Sequence, residues 1–199
     1  MFDTDLENEV GYFDPADSPE PFIAKQLYPA HIKDVVSREV MVKNKYKARV
    51  YDLTCEIASE CSNNEYVKKD DEDNDVTVSG VKFVGKEFKS KGIFMFLTPK
   101  EGDKFHSNNG ANENYLTFCE SIGVKMKDIE IEVDGETRTV KQFPVLNKDN
   151  LMGKPVMAYI DTEEWKTKDG EKRTSFKAKW FNKWEEGQEK DYISDDIPF

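Results

Sequence analysis

Apolar and polar residues alternate with a period of two through most of the middle of the chain, the pattern of half-buried strands. "LYPAHIKDVV" at 27–36 predicts a first strand, and "KNKYKARVYDLTCEIA" at 43–58 predicts a long second one. In the second, Tyr46, Ala48 and Val50 share one face, while Lys45, Lys47 and Arg49 share the other. The apolar set then changes parity to Tyr51, Leu53, Cys55 and Ile57, which predicts a β-bulge inside this strand. "KFVGKEFKSKGIFMFLTP" at 82–99 reads as a third strand and "DIEIEVDGETRTVKQF" at 128–143 as a hairpin around Asp134-Gly135. Residues 151–184 read as a final long hairpin turning at Asp169-Gly170. Helical spacing is best in "NENYLTFCESIGV" at 112–124, through Tyr115, Leu116 and Cys119. Asn112 can cap its start and Gly123 fits its end. Residues 59–80 lack apolar periodicity and read as an exposed insertion loop carrying "DDEDND" at 70–75.

This order predicts a mainly β fold: a five-stranded Greek-key barrel of the OB type, with one helix between strands three and four and extra hairpins. A β-sandwich or an α+β sheet fits the same strings less well. The domain spans 21–184, between a disordered acidic arm at 1–20 and an acidic tail at 185–199. No run of about 18 apolar residues occurs, so no membrane-spanning helix is expected. The acidic start "MFDTDLENEV" lacks a basic-then-apolar signal pattern, which makes a cytoplasmic protein the expectation. Cys55, Cys61 and Cys119 then read as reduced thiols rather than a disulfide framework.

The net charge of −11 argues at first against a nucleic-acid partner, but its distribution reverses that reading. Residues 1–20 carry −7 and residues 185–199 carry −5, which leaves +1 on 21–184. The 70–75 run alone contributes −5 to that middle segment, so the rest of the body is mildly basic. Acidic ends also keep a protein soluble, which is the plainer account of the same charges.

Two strands combine positive charge with aromatic rings. Lys43, Lys45, Lys47 and Arg49 alternate with no acid among them. In 164–184, Lys166, Lys168, Lys172, Arg173, Lys177, Lys179 and Lys183 outnumber Glu164, Asp169 and Glu171, giving +4. Trp165, Phe176, Trp180, Phe181 and Trp184 are interleaved with them. Alternation puts Phe176, Ala178 and Trp180 on the core face, with Arg173, Lys177, Lys179 and Phe181 on the other. Single-stranded nucleic acid asks for this mixture, because phosphates need a cationic track and unstacked bases need flat platforms. The expected DNA-binding residues are Lys45, Lys47, Arg49, Trp165, Lys166, Lys168, Arg173, Lys177, Lys179, Phe181 and Trp184. Taken singly, an aromatic in a strand is more often core, and an alternating Lys is more often a solvated face.

The ending Ser194-Asp195-Asp196-Ile197-Pro198-Phe199 resembles the C-terminal tip of bacterial single-stranded DNA-binding proteins, where aspartates precede Ile-Pro-Phe. The body, through "FIAKQLYPAHI", "GKEFKSKGIFMF" and "LMGKPVMAYI", is more loosely similar to phage-encoded single-stranded DNA-binding proteins of the OB class. The resemblance implies a non-enzymatic protein that coats single-stranded DNA during replication, recombination or repair and needs no cofactor. It also implies that Asp195, Asp196, Ile197, Pro198 and Phe199 dock on replication and recombination proteins. The long linker of the bacterial proteins is missing here, and the body is not recognisably theirs, so their tetrameric state does not carry over.

Other classes leave weaker traces. Glu164-Trp165-Lys166, with Asp161 nearby, matches half of a metal-dependent nuclease signature, in which carboxylates hold Mg²⁺. Cys55, Cys61, Cys119, His31 and His106 could supply four zinc ligands, but none forms a close Cys-x₂-Cys or His-x₃-His pair. An acidic interaction or assembly protein that never touches DNA would keep the tail and leave the basic hairpin as surface.

Overall fold

The computed structural model describes residues 20–98, 110–133 and 135–192. Residues 1–19 and the last seven residues of the acidic tail lie outside them, as do His106 and all five residues expected to form the docking tip. Among the described residues the chain forms β1 (Gln26–Val42), β2 (Tyr46–Ile57), β3 (Glu65–Lys69), β4 (Asp75–Ser79), β5 (Glu87–Ser90) and β6 (Ile93–Phe96). Then follow α1 (Glu113–Ser121), β7 (Lys127–Val133), β8 (Glu136–Gln142), the single turn α2 (Lys148–Leu151), β9 (Pro155–Lys166) and β10 (Lys172–Lys183). No helix among them is long and apolar enough to cross a membrane.

Five strands close into a ring in the order β1-β9-β10-β5-β2, with β2 returning to β1. All neighbours are antiparallel except β10 and β5, which run parallel. This is the expected OB-type barrel, with α1 between its third strand, β5, and its fourth, β9. The inward faces of these strands fill it: Tyr28, Ile32, Leu53, Cys55, Ile57, Phe88, Val156, Ile160 and Phe181 are all buried. Fully burying one side chain of this size is worth about 1.5–3 kcal/mol.

Three sequence expectations change in detail. The bulge lies in β1, not β2: the β1–β2 register shifts between Ile32 and Asp34, so Lys33 is the extra residue. β2 keeps its step and buries residues of both parities where it is covered on both faces. Ala48 and Val50 are fully buried on the outer face, flanked by Val40 and Arg38 on β1 and by Phe96 and Phe94 on β6. The third strand is interrupted. β5 pairs with Thr54–Glu56 of β2 and β6 with Ala48–Tyr51, as two halves of one edge broken at Lys91-Gly92. Gly92 sits at φ +85°, where a side chain would be strained.

The third change concerns 59–80, which is not simply an exposed loop. A 3₁₀ turn at Ser59–Asn63 leads into the β3–β4 hairpin, and Cys61, Tyr66 and Val78 enter the core. Only one residue of each short strand is buried, too few to produce a visible period. The acidic turn at 70–75 is exposed as expected, and Asp70 Oδ1 accepts from the backbone N–H of Glu72 and of Asn74, both at 2.9 Å.

Helix α1 packs on the barrel through Phe118, whose ring meets that of Phe181 at 5.4 Å. Gly123, at φ +72°, follows its last turn and donates to Glu120 O at 3.1 Å, as the sequence suggested. The chain then builds β7–β8, which pairs with no other strand among the described residues. Past β10, residues 184–192 run back along the barrel as a strap. Lys190 N donates to Gly153 O at 3.0 Å, Lys190 Nζ pairs with Glu56, and Lys154 pairs with Glu189. Gly153 has φ +77°, and a Cβ there would come 2.0 Å from Lys190 O. So the described part of the acidic tail is held against the barrel.

Candidate nucleic-acid interface

β10 and β5 pair only at Lys177–Lys89 and Ala178–Ser90, with Lys91 N donating to Ala178 O at 3.0 Å. Beyond this point the two edges separate. On one side Gly92 breaks the β5–β6 edge; on the other, the β9–β10 register shifts between Ala178 and Trp180. Lys179 is the extra residue of that bulge. A slot of about 360 Å³ opens between β6 and β10, lined by Phe94, Phe96, Asn114, Thr117, Lys179 and Trp180 among others.

The same bulge decides which aromatics are available. A constant two-residue period puts Trp180 inside and Phe181 outside. One inserted residue exchanges them: Trp180 is 40% exposed and Phe181 only 5%. Phe181 is therefore a core residue rather than an exposed platform, and it lines the inner end of the slot. Trp180 lies almost flat on Tyr159 of β9, with centroids 4.3 Å apart and planes 8° from parallel. Across the slot, the half-buried Phe94 and Phe96 stack at 6.0 Å and 22°. Both lie on the outer face of the barrel, beside the buried Val50 and Ala48 of β2.

A buried amide fixes the second platform. Asn112 is fully buried, and its side chain does not cap α1. Its Oδ1 instead accepts from Phe96 N at 2.7 Å, and its Nδ2 donates to Phe96 O at 3.1 Å. The amide thus satisfies both backbone groups of Phe96, as a neighbouring strand would.

The cations around the slot are partly neutralised. Lys179 Nζ lies 3.5 Å from Asp161, and Glu163 is shared by Lys177 at 2.9 Å and Lys91 at 3.8 Å. These lysines hold the Glu163 carboxyl below the usual carboxylate range, Lys177 first by its hydrogen bond. Lys89 has no carboxylate partner among the described residues. A phosphate entering here replaces exposed carboxylates at exposed lysines, an exchange between weak surface pairs.

The other expected DNA-binding residues are dispersed. Lys47 and Arg49 project from the face of β2 opposite Val50, and both pair with Glu39 of β1, at 2.8 and 3.1 Å. Lys45 lies in the β1–β2 turn with its Nζ 5.4 Å from the Tyr46 ring centroid. Trp165 and Arg173 face each other across β9–β10 near its tip, where Trp165 is 48% exposed; Lys166 and Lys168 are in or beside the turn. Trp184 is at the opposite end of β10, half-buried against His31 at 5.5 Å. Of the eleven, Lys179 and Phe181 line the slot, while Lys177, two residues before Lys179, lines a separate surface pocket with Glu163, Glu164, Trp165 and Ser175. Phe94, Phe96, Tyr159 and Trp180 were not among the eleven. Their signal was the run Ile93-Phe94-Met95-Phe96, whose Phe residues share one face while Met95 enters the core.

The two metal readings gain no geometry. Asp161 and Glu164 lie on opposite faces of β9, and Asp161 is engaged with Lys179. No group of three His, Cys, Asp or Glu side chains among the described residues could hold a metal ion. The three cysteines are buried and unpaired, and burial pushes the Cys119 thiol up to about 11. His31 Nε2 lies 2.8 Å from Gln188 O and so carries the donated proton. No protein-family model, no curated protein and no solved structure matches the chain.

Proposed function

We propose that this chain is a non-enzymatic, sequence-tolerant single-stranded DNA-binding protein whose bases stack in the slot between β6 and β10. One observation carries the reading: two aromatic platforms, Phe94–Phe96 and Tyr159–Trp180, flank one slot on the outside of an OB-type barrel. Contiguous exposed apolar surface of this kind marks binding sites more often than scattered single side chains do. Every base has a π-face, so such platforms hold a strand without reading its sequence, at about 1–3 kcal/mol per stacked base. Lys177, Lys179 and Lys89 supply the cationic border for phosphates. By the resemblance of its ending, the chain coats DNA in phage replication or recombination, and Asp195, Asp196, Ile197, Pro198 and Phe199 recruit the enzymes of those processes.

A second reading has its own support. Ion pairs to the three carboxylates Glu39, Asp161 and Glu163 engage four of the cations on which DNA binding would rest. They favour an acidic interaction protein that does not touch DNA. Titration of the protein with labelled oligo-dT separates the two. The DNA reading expects saturable binding, Trp quenching, and an affinity whose log–log salt slope is about −0.7 per phosphate neutralised. No binding at low salt, or a preference for duplex, contradicts it.

A further inference from the structure

Helix α1 bridges the two walls of the slot, since it packs on both β6 and β10. Two of its side chains, Asn114 and Thr117, line the slot together with the rings. They stand three residues apart and so share one helix face. Both are exposed, and neither side chain has a hydrogen-bond partner among the described residues. Asn112 is committed to the Phe96 backbone, whereas Asn114 keeps its amide donor and acceptor free. The other exposed side chains within α1, Glu113 and Glu120, do not line the slot. The helix thus offers the slot uncharged hydrogen-bonding groups and keeps its carboxylates out. The larger groove under the β7–β8 hairpin, of about 720 Å³, has no stacked ring pair in its lining.

We propose that Asn114 and Thr117 hydrogen-bond the Watson–Crick edge of a base stacked in the slot. The inference rests on the DNA reading above and adds which part of the nucleotide is recognised. A base lying flat on Phe94, Phe96 or Trp180 has its face covered and its edges turned sideways, toward α1 or solvent. In a duplex the Watson–Crick edge is already paired, so this contact admits only unpaired bases. An amide suits a site that holds any base. Each base presents a donor beside an acceptor at this edge: N3–H with O4 in thymine, N4–H with N3 in cytosine, N6–H with N1 in adenine, N1–H with O6 in guanine. Turning the amide over exchanges its donor and acceptor, so Asn114 matches either order. A carboxylate there only accepts and a lysine only donates, whereas the Thr117 hydroxyl does both. The contact therefore adds affinity and single-strand selectivity without reading sequence.

Fluorescence anisotropy with labelled oligo-dT and with an oligomer of N3-methylthymidine tests it. The methyl group leaves the stacking face and removes the edge donor. The full chain should bind the methylated oligomer about threefold to tenfold more weakly, the range for one net hydrogen bond. Asn114→Ala with Thr117→Val should lose affinity for oligo-dT by a similar factor and bind the two oligomers equally. Both side chains are exposed, so the urea midpoint of this variant should stay near the parent's. A parent that binds both oligomers equally overturns the proposal. So does a methylation penalty that persists in the double variant, because it is then steric. Either result leaves the DNA reading intact, with stacking carrying the affinity. A parent that fails to bind oligo-dT at all removes the DNA reading and this contact with it.

Discussion

The slot between β6 and β10 and the groove beneath β7–β8 are both partly apolar and both edged by cations, yet they suit different guests. The slot is flanked by flat rings stacked in pairs, Phe94 on Phe96 and Trp180 on Tyr159. The groove is lined mainly by branched and thioether side chains and Phe143, with Arg49, Thr139, Lys141 and Gln142 among them. Flat platforms accept any planar base, whereas irregular aliphatic walls select a side chain by its shape. Net charge separates the two poorly, because ion pairs blunt the cations at each. The kind of apolar surface is the better guide to the ligand.

Several changes would break or sharpen this contrast. The largest effect is expected from Phe181→Ala, since removing a buried Phe costs about 3–5 kcal/mol of stability. Its neighbour Trp180→Ala should unfold at nearly the parent's denaturant midpoint yet lose oligo-dT affinity by about 1–3 kcal/mol. Equal stability losses in the two variants would mean that the bulge at Lys179 is misplaced. Next, Asn112→Ala leaves two backbone groups of Phe96 without their partner, at about 1–3 kcal/mol. Urea unfolding should report that loss, and DNA affinity should fall with it.

Charge reversal should divide the sites. Lys177→Glu with Lys179→Glu should weaken DNA binding roughly tenfold, or about 1.4 kcal/mol. Lys47→Glu with Arg49→Glu should change DNA affinity much less, against the sequence expectation that both pairs form one DNA track. Equal loss of DNA affinity in both double variants would restore the single track.

The smallest effect concerns the strap. Burial raises the Glu56 carboxyl, but its pairs with Lys190 and Lys33 outweigh that and hold it below the ordinary 4.5. Because the folded value is depressed, this contribution is complete above the ordinary value and is lost as pH falls through the lowered one. The protection factor of the Lys190 amide, corrected for its intrinsic exchange rate, should therefore fall in acid before the barrel opens, and Glu56→Gln should abolish that fall. Protection of Lys190 that persists until global unfolding would contradict this role for Glu56.

How much was legible in the sequence follows from what a two-residue period can carry. Long strands with one wet face, β2, β9 and β10, announced themselves, and so did α1 through its spacing and Gly123. A single inserted residue leaves no trace in composition, so the change of parity at Lys179 misassigned Trp180 and Phe181. In β2 the opposite error arose: burial on both faces at Val50 and Tyr51 imitated a bulge. The Phe94–Phe96 platform was hidden because Ile93-Phe94-Met95-Phe96 reads like any strand buried on both sides. Asn112 looked like a helix cap because its partner, the Phe96 backbone, is remote in sequence. Pairing of Lys47, Arg49, Lys177 and Lys179 with acids on adjacent strands depends on register, which charge counting ignores.

The central claim is that bases stack in the slot between β6 and β10, and photo-crosslinking tests it most directly. An oligo-dT carrying 5-iodouracil should be bound, irradiated and mapped by mass spectrometry. The account predicts crosslinks at Phe94, Phe96 and Trp180, lost when excess unlabelled oligo-dT competes. Crosslinks confined to the Lys47–Arg49 face, or none at saturating DNA, would contradict it.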